Sequence, residues 1–155
     1  MKILAIDSSG LVASVAVVED DRLLGEYTID HKKTHSQTLL PMIDALSEMI
    51  ELDIATVDAI AVAAGPGSFT GLRIGSATAK GLGLALQVPL IPVPTVDAIA
   101  YTLYGAGDMI CPLMDARRNQ TYTGLYRFSG DGGFLTVKEQ CAVGIEEILS
   151  DINGL

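Results

Sequence analysis

The stretch Ala59-Ile-Ala-Val-Ala-Ala-Gly-Pro-Gly-Ser-Phe-Thr-Gly-Leu-Arg-Ile-Gly75 decides the fold. Its apolar run, Ala59 to Ala64, is too short for a helix and reads as a buried strand. Gly65-Pro66-Gly67 ends that strand, because proline donates no hydrogen bond and glycine admits positive φ. Ser68 or Thr70 then caps a helix predicted to run to about Gln87. Strand, glycine turn and helix N-terminus are also the parts from which phosphate sites are built. The loop lacks the G-x-x-x-x-G-K-[ST] pattern, however, and Thr70 stands where a dinucleotide loop would carry its third glycine. A tight turn is the better reading of these glycines.

The helix behind the turn is unusual. Gly71, Gly75, Ala79 and Gly83 recur every four residues, and Ala77, Gly81 and Ala85 make a second such row. Four interior glycines sacrifice about 4 kcal/mol of helix propensity, so close packing must offset the loss. Rows spaced by four are the ridges of the commonest helix packing. The helix is therefore expected to pack on a second one, Thr34 to Glu51, whose apolar face holds Leu39, Met42, Ile43 and Leu46. The two together are expected to meet a matching pair on another subunit, closing a symmetric homodimer. Arg73 and Lys80 argue against a membrane span, as does the helix's length.

Composition narrows the classes. The 155 residues are 49% apolar and 19% charged, enough for a core and too apolar for disorder. Nineteen acidic against ten basic residues give a net charge of −9, which disfavours unaided binding of RNA or DNA. Cys111 and Cys141 have neither CxxC nor zinc spacing, so two free thiols are expected. The first strand starts almost at Met1, so neither a leader nor a membrane anchor is expected, and the cytoplasm is the expected compartment.

Taken in order, Ile3 to Ile6, Leu11 to Val18 and Arg22 to Ile29 read as an antiparallel three-stranded meander, with Asp7-Ser8-Ser9-Gly10 at its first turn. Thr34-x-x-Gln37 is a capping box, and Pro41 should kink the following helix or mark its true start. His35 is expected to be solvated. A helical metal pair would need a second histidine one turn on, where Leu39 stands. After the glycine helix come a short strand, Leu90 to Val93, and a helix capped by Thr95 that ends at Gly105. The opening pattern then returns: Met109 to Met114 is closed by Asp115, Thr121 to Phe128 and Phe134 to Lys138 follow, and Ile145 begins a helix. A duplicated βββαβα unit is implied, with a first lobe over 1–106 and the incomplete start of a second over 107–155.

Asp7-Ser8-Ser9, Thr34-His35-Ser36 with Leu39-Leu40-Pro41, the Gly65–Gly75 block and Asp115-Ala116-Arg117 together resemble the TsaB (YeaZ) family. The resemblance runs from Met1 to about Phe128 and implies an actin-like (ASKHA) duplicated α/β fold. It implies work in threonylcarbamoyladenosine (t6A) modification of tRNA, at the adenosine next to the anticodon. The partners implied are the catalytic homologue TsaD and the ATPase TsaE, with tRNA reached only through the complex. TsaD would use the same face as the homodimer, making the two assemblies mutually exclusive. The resemblance also implies a longer second lobe than this sequence provides.

These residues bear on three functions. A non-catalytic scaffold that activates a catalytic homologue accounts for the small-residue helix, the missing ligand and the acidity. Its interface would be Leu39, Met42, Ile43, Leu46, Gly71, Gly75, Ala79 and Gly83. An actin-fold nucleotide module would use Asp7, Ser8, Ser9, Gly65, Gly67 and Ser68, a set read here as a vestigial nucleotide loop. A metallopeptidase-like enzyme would need ligands that His31 and His35 alone do not supply. The scaffold is preferred, with no catalytic residue, no metal and no cofactor of its own. ATP or ADP with Mg²⁺ is left open only at an interface of the complex.

Overall fold

The computed structural model describes residues 1–30 and 35–154. Thr34 of the expected capping box and His31 lie outside the described residues. The chain forms two compact units, Met1–Val93 and Pro94–Leu155.

In the first unit β1 (Lys2–Asp7), β2 (Ala13–Glu19) and β3 (Arg22–Ile29) form the expected meander. α1 (His35–Met49), β4 (Ala59–Gly65), α2 (Phe69–Leu86) and β5 (Leu90–Pro94) follow. The sheet order is β3-β2-β1-β4-β5. β1 runs antiparallel to β2 and parallel to β4, with Ile3 opposite Ala59 and Ile6 opposite Val62. Strand alternation sends Leu4, Ile6, Ala13, Val15 and Val17 to one face, where they meet Leu39, Met42, Ile43 and Leu46 of α1 and Ala79 of α2. α1 runs through Pro41, which lies exposed, so that residue marks neither the start nor the end of the helix. Gln87 closes α2 in the left-handed conformation, its N–H donating to Gly83 O.

The second unit holds α3 (Thr95–Tyr101), β6 (Leu113–Arg117), β7 (Gln120–Phe128), β8 (Phe134–Gly144) and α4 (Ile145–Asn153). Its three strands form an antiparallel sheet in the order β6-β7-β8. Val96 and Ala100 of α3 are buried with Ile110, Tyr126 and Phe128, and Tyr126 Oη donates to Asp97 Oδ1 at 2.7 Å. The boundary expected at 106/107 therefore falls between Val93 and Pro94, because α3 shares its core with β7. Thr95 is not the cap of α3. Pro94 holds that position, and Thr95 Oγ1 is buried without a partner. The strand expected from Met109 starts only at Leu113. Ile110 makes a lone bridge to Tyr126, and Pro112, which has no N–H to give a ladder, separates the two.

Candidate functional site

The glycine turn is filled by the chain itself. β1 ends in Asp7, whose Oδ1 accepts a bond from Ser9 N at 2.8 Å and so tightens the β1–β2 turn. That turn docks on the start of α2. Ser8 Oγ donates to Gly71 O at 2.9 Å, Ser68 N donates to Ser9 O at 2.6 Å, and Ser68 Oγ caps the helix by accepting from Gly71 N at 3.2 Å. His35 closes the cluster from α1. Its Nε2 lies 3.0 Å from Gly10 O, a contact that requires the proton on Nε2. His35 is half-buried and bonded, where the sequence suggested a solvated residue.

These contacts explain the glycines. A Cβ at Gly67 would overlap Ser9 O, one at Gly71 would overlap Ser8 O, and one at Gly75 would overlap Ser8 Oγ. At Gly83 a Cβ would stand 2.8 Å from Leu90 Cδ2. Gly65, with φ of 99°, also holds a backbone angle that other residues rarely adopt. The row on α2 therefore faces its own lobe, and the offset for lost helix propensity is close approach of the β1–β2 turn and of β5.

This corrects the interface expected from sequence. Leu39, Met42, Ile43 and Leu46 are buried against the sheet, and Gly71, Gly75, Ala79 and Gly83 are buried beneath α2. None of the eight offers a surface to another chain. α2 instead turns Phe69 and Leu84 outward, 73% and 83% exposed, with the second small row of Ala77, Gly81 and Ala85 also exposed. Arg73 lies over the Phe69 ring, 5.0 Å from its centroid.

Asp7, Ser8, Ser9, Gly65, Gly67 and Ser68 are brought together as one cluster, but their arrangement does not fit a phosphate held between the two turns. Ser68 N, one of the amides such a site would use, is bonded to Ser9 O. The carbonyl oxygens of Ser8 and Ser9 face the glycines, and an oxygen lone pair repels an anion. Among the described residues no group of three or more His, Cys, Asp or Glu is placed to hold a metal. No described helix is long and apolar enough to cross a membrane.

A second feature escaped the sequence. Arg117, Arg118 and Asn119, at the β6–β7 turn, all have positive φ. The adjacent arginines are visible in the sequence, but their backbone conformation is not. The available signals were the brevity of the connection between two strands and Asn119, a residue favoured in such turns.

A meander followed by helix-strand-helix, then a second meander, defines the actin-like (ASKHA) class, and a ROK hexokinase from Thermus thermophilus shows the same fold. That enzyme is 17% identical with a TM-score of 0.50, covering 87% of this chain and 49% of its own. The family model described as TsaD, tRNA N6-adenosine threonylcarbamoyltransferase, matches residues 22–151. The tRNA threonylcarbamoyladenosine biosynthesis protein TsaB of Bacillus subtilis is 38% identical over 128 residues, 83% of this chain and 56% of that protein. YeaZ from Pseudomonas aeruginosa is 32% identical and superposes with a TM-score of 0.81, covering 92% of this chain and 67% of that one. The chain belongs to the TsaB (YeaZ) family within the TsaD-like proteins. It spans about half the length of the curated relatives it matches.

Proposed function

We propose that the chain serves t6A modification of tRNA as a non-catalytic scaffold that pairs with a TsaD-type catalytic homologue in the cytoplasm. The observation that carries this reading is the filled glycine turn. A strand, glycine turn and helix N-terminus of the kind that can hold a phosphate form here a packing joint between β1 and α2. The names of the TsaB relatives supply the pathway. ATP or ADP with Mg²⁺, the TsaE-type ATPase and tRNA then belong to the assembled complex.

The partner surface is the outer side of the α1–α2 pair, not its buried rows. Leu40 and Leu84 are exposed there, and Leu40, Asp44, Glu48, Ile54 and Leu82 line a groove of about 860 Å³ along α1. An exposed leucine at 83% on a helix with two small-residue rows suits helix-to-helix docking. The same surface would close the homodimer when the partner is absent.

Reconstitution tests the proposal. The TsaD-type homologue and the TsaE-type ATPase, supplied with ATP, tRNA and a threonylcarbamoyl donor, should yield t6A only when this chain is added. The chain alone should yield none. Equal yield without the chain, or peptidase or ATPase turnover by the chain alone, would reject the scaffold role.

A further inference from the structure

The β6–β7 hairpin turns at Arg118 and Asn119, and Arg117 sits at a register shift next to Asp115. φ is 63° at Arg117, 52° at Arg118 and 60° at Asn119. Two central residues with positive φ are what a type I′ turn demands, and Asn, Asp and Gly are its usual occupants. Asn119 conforms to that preference. The arginines do not, since the left-handed conformation presses Cβ against the following carbonyl.

The turn is nevertheless firmly held. Asp115 Oδ1 accepts from Arg117 N at 2.8 Å, and Thr121, one residue into β7, is buried. Strain of this kind persists where the surroundings over-determine it, and it gathers at binding sites. Both arginines are exposed, and among the described residues neither guanidinium has a hydrogen bond or an ion pair. This holds although Asp115 is nearby in sequence and Glu146 and Glu147 open α4 in the same unit. Lys2 and Lys138 pair with Glu19 and Asp151, while the side chains of Arg22, Lys80 and Arg127 stand, like the arginines of the turn, without a hydrogen bond or ion pair among the described residues. What sets the turn apart is adjacency: in a chain with ten basic residues against nineteen acidic ones, it presents two neighbouring unpaired cations together.

We propose that this hairpin tip is a phosphate-backbone contact through which the chain touches tRNA inside the assembled complex. The proposal rests on the t6A reading above. Guanidinium forks match phosphate oxygens in planar, two-bond geometry, and two forks on one turn can reach phosphates of successive nucleotides. Against a net charge of −9, two arginines cannot hold tRNA alone. They add to an affinity that the partner must supply.

The test measures tRNA affinity of the complex with the TsaD-type homologue, across a range of salt, for wild type, Arg117→Glu with Arg118→Glu, and Arg118→Asn. The charge-reversed chain should enter the complex like wild type and bind tRNA about 10-fold more weakly at physiological salt. Its slope of log K against log salt should be shallower by about 2. Arg118→Asn suits the turn better, so its melting temperature should hold or rise while tRNA affinity still falls. Unchanged affinity and slope in an intact complex would overturn the proposal. Loss of complex formation on charge reversal would also overturn it, assigning the arginines to a protein contact. A wild-type chain that forms no complex at all would overturn the t6A reading together with this one.

Discussion

An alanine methyl at Gly71 would overlap the carbonyl oxygen of Ser8, and one at Gly75 would overlap Ser8 Oγ. At an open helix position, Gly→Ala gains about 1 kcal/mol. At these two sites the sign should reverse. Gly71→Ala meets backbone that cannot rotate away, and we expect it to lower stability by about 2 kcal/mol or more. Gly75→Ala should cost less, because Ser8 can turn aside by giving up its bond to Gly71 O. Adding Ser8→Ala should then recover part of that loss, with a coupling of about 1 kcal/mol in a double-mutant cycle. Gly81 has nothing within 4 Å of its missing Cβ, so Gly81→Ala should stabilise the free chain by about 0.5–1 kcal/mol. Urea unfolding of these variants reads all the signs at once. A stabilised Gly71→Ala would mean that the β1–β2 turn does not dock on α2 as described.

The bond from Tyr126 to Asp97 ties α3 to β7 and makes the second unit sensitive to alkali. Burial and that hydrogen bond push the Tyr126 phenol well above its ordinary value of 10.0. As pH rises past 10 the unfolded chain releases this proton first. The stability Tyr126 contributes is therefore complete below pH 10 and is lost above it. Tyr126→Phe should flatten the alkaline loss, at a cost near neutrality of about 1 kcal/mol for the bond. Near-ultraviolet circular dichroism against pH checks this, and an equally steep loss in the variant would assign the titration to another group. Elements fixed by local chemistry were legible in the sequence. β3 has the predicted ends, β1 and β4 differ by a residue or so, and α2 is capped by Ser68 as its glycines and polar residues suggested. Relations between distant segments were not legible. Ridge spacing on α2 called for a close neighbour without naming it, and the neighbour was Ser8, 63 residues before Gly71, rather than another subunit. α3 was given to the wrong lobe for the same reason, since its helical pattern carries no sign of Tyr126, 29 residues beyond Asp97.

Across the whole molecule, the partner reading now rests on what the first unit leaves exposed. Leu84→Glu changes a side chain that is 83% exposed, so the far-ultraviolet spectrum should be unchanged. Self-association and capture by the TsaD-type homologue should both fall at least about 10-fold, the scale expected when a charge enters an apolar contact. Sedimentation and pull-down measure the two, and wild-type behaviour in both would move the interface off α2. The bare chain, at −9, should give no gel shift with tRNA at physiological salt. One joint also governs how the first unit reaches its native state. The Ser8 to Gly71 bond spans 63 residues, so the chain must close a long loop before that contact stabilises anything. We expect this contact to form after the transition state, so that losing it speeds unfolding while leaving refolding almost untouched. The serine that seals the glycine turn is in this sense a kinetic latch, and Ser8→Ala should shorten the lifetime of the folded lobe without slowing its formation.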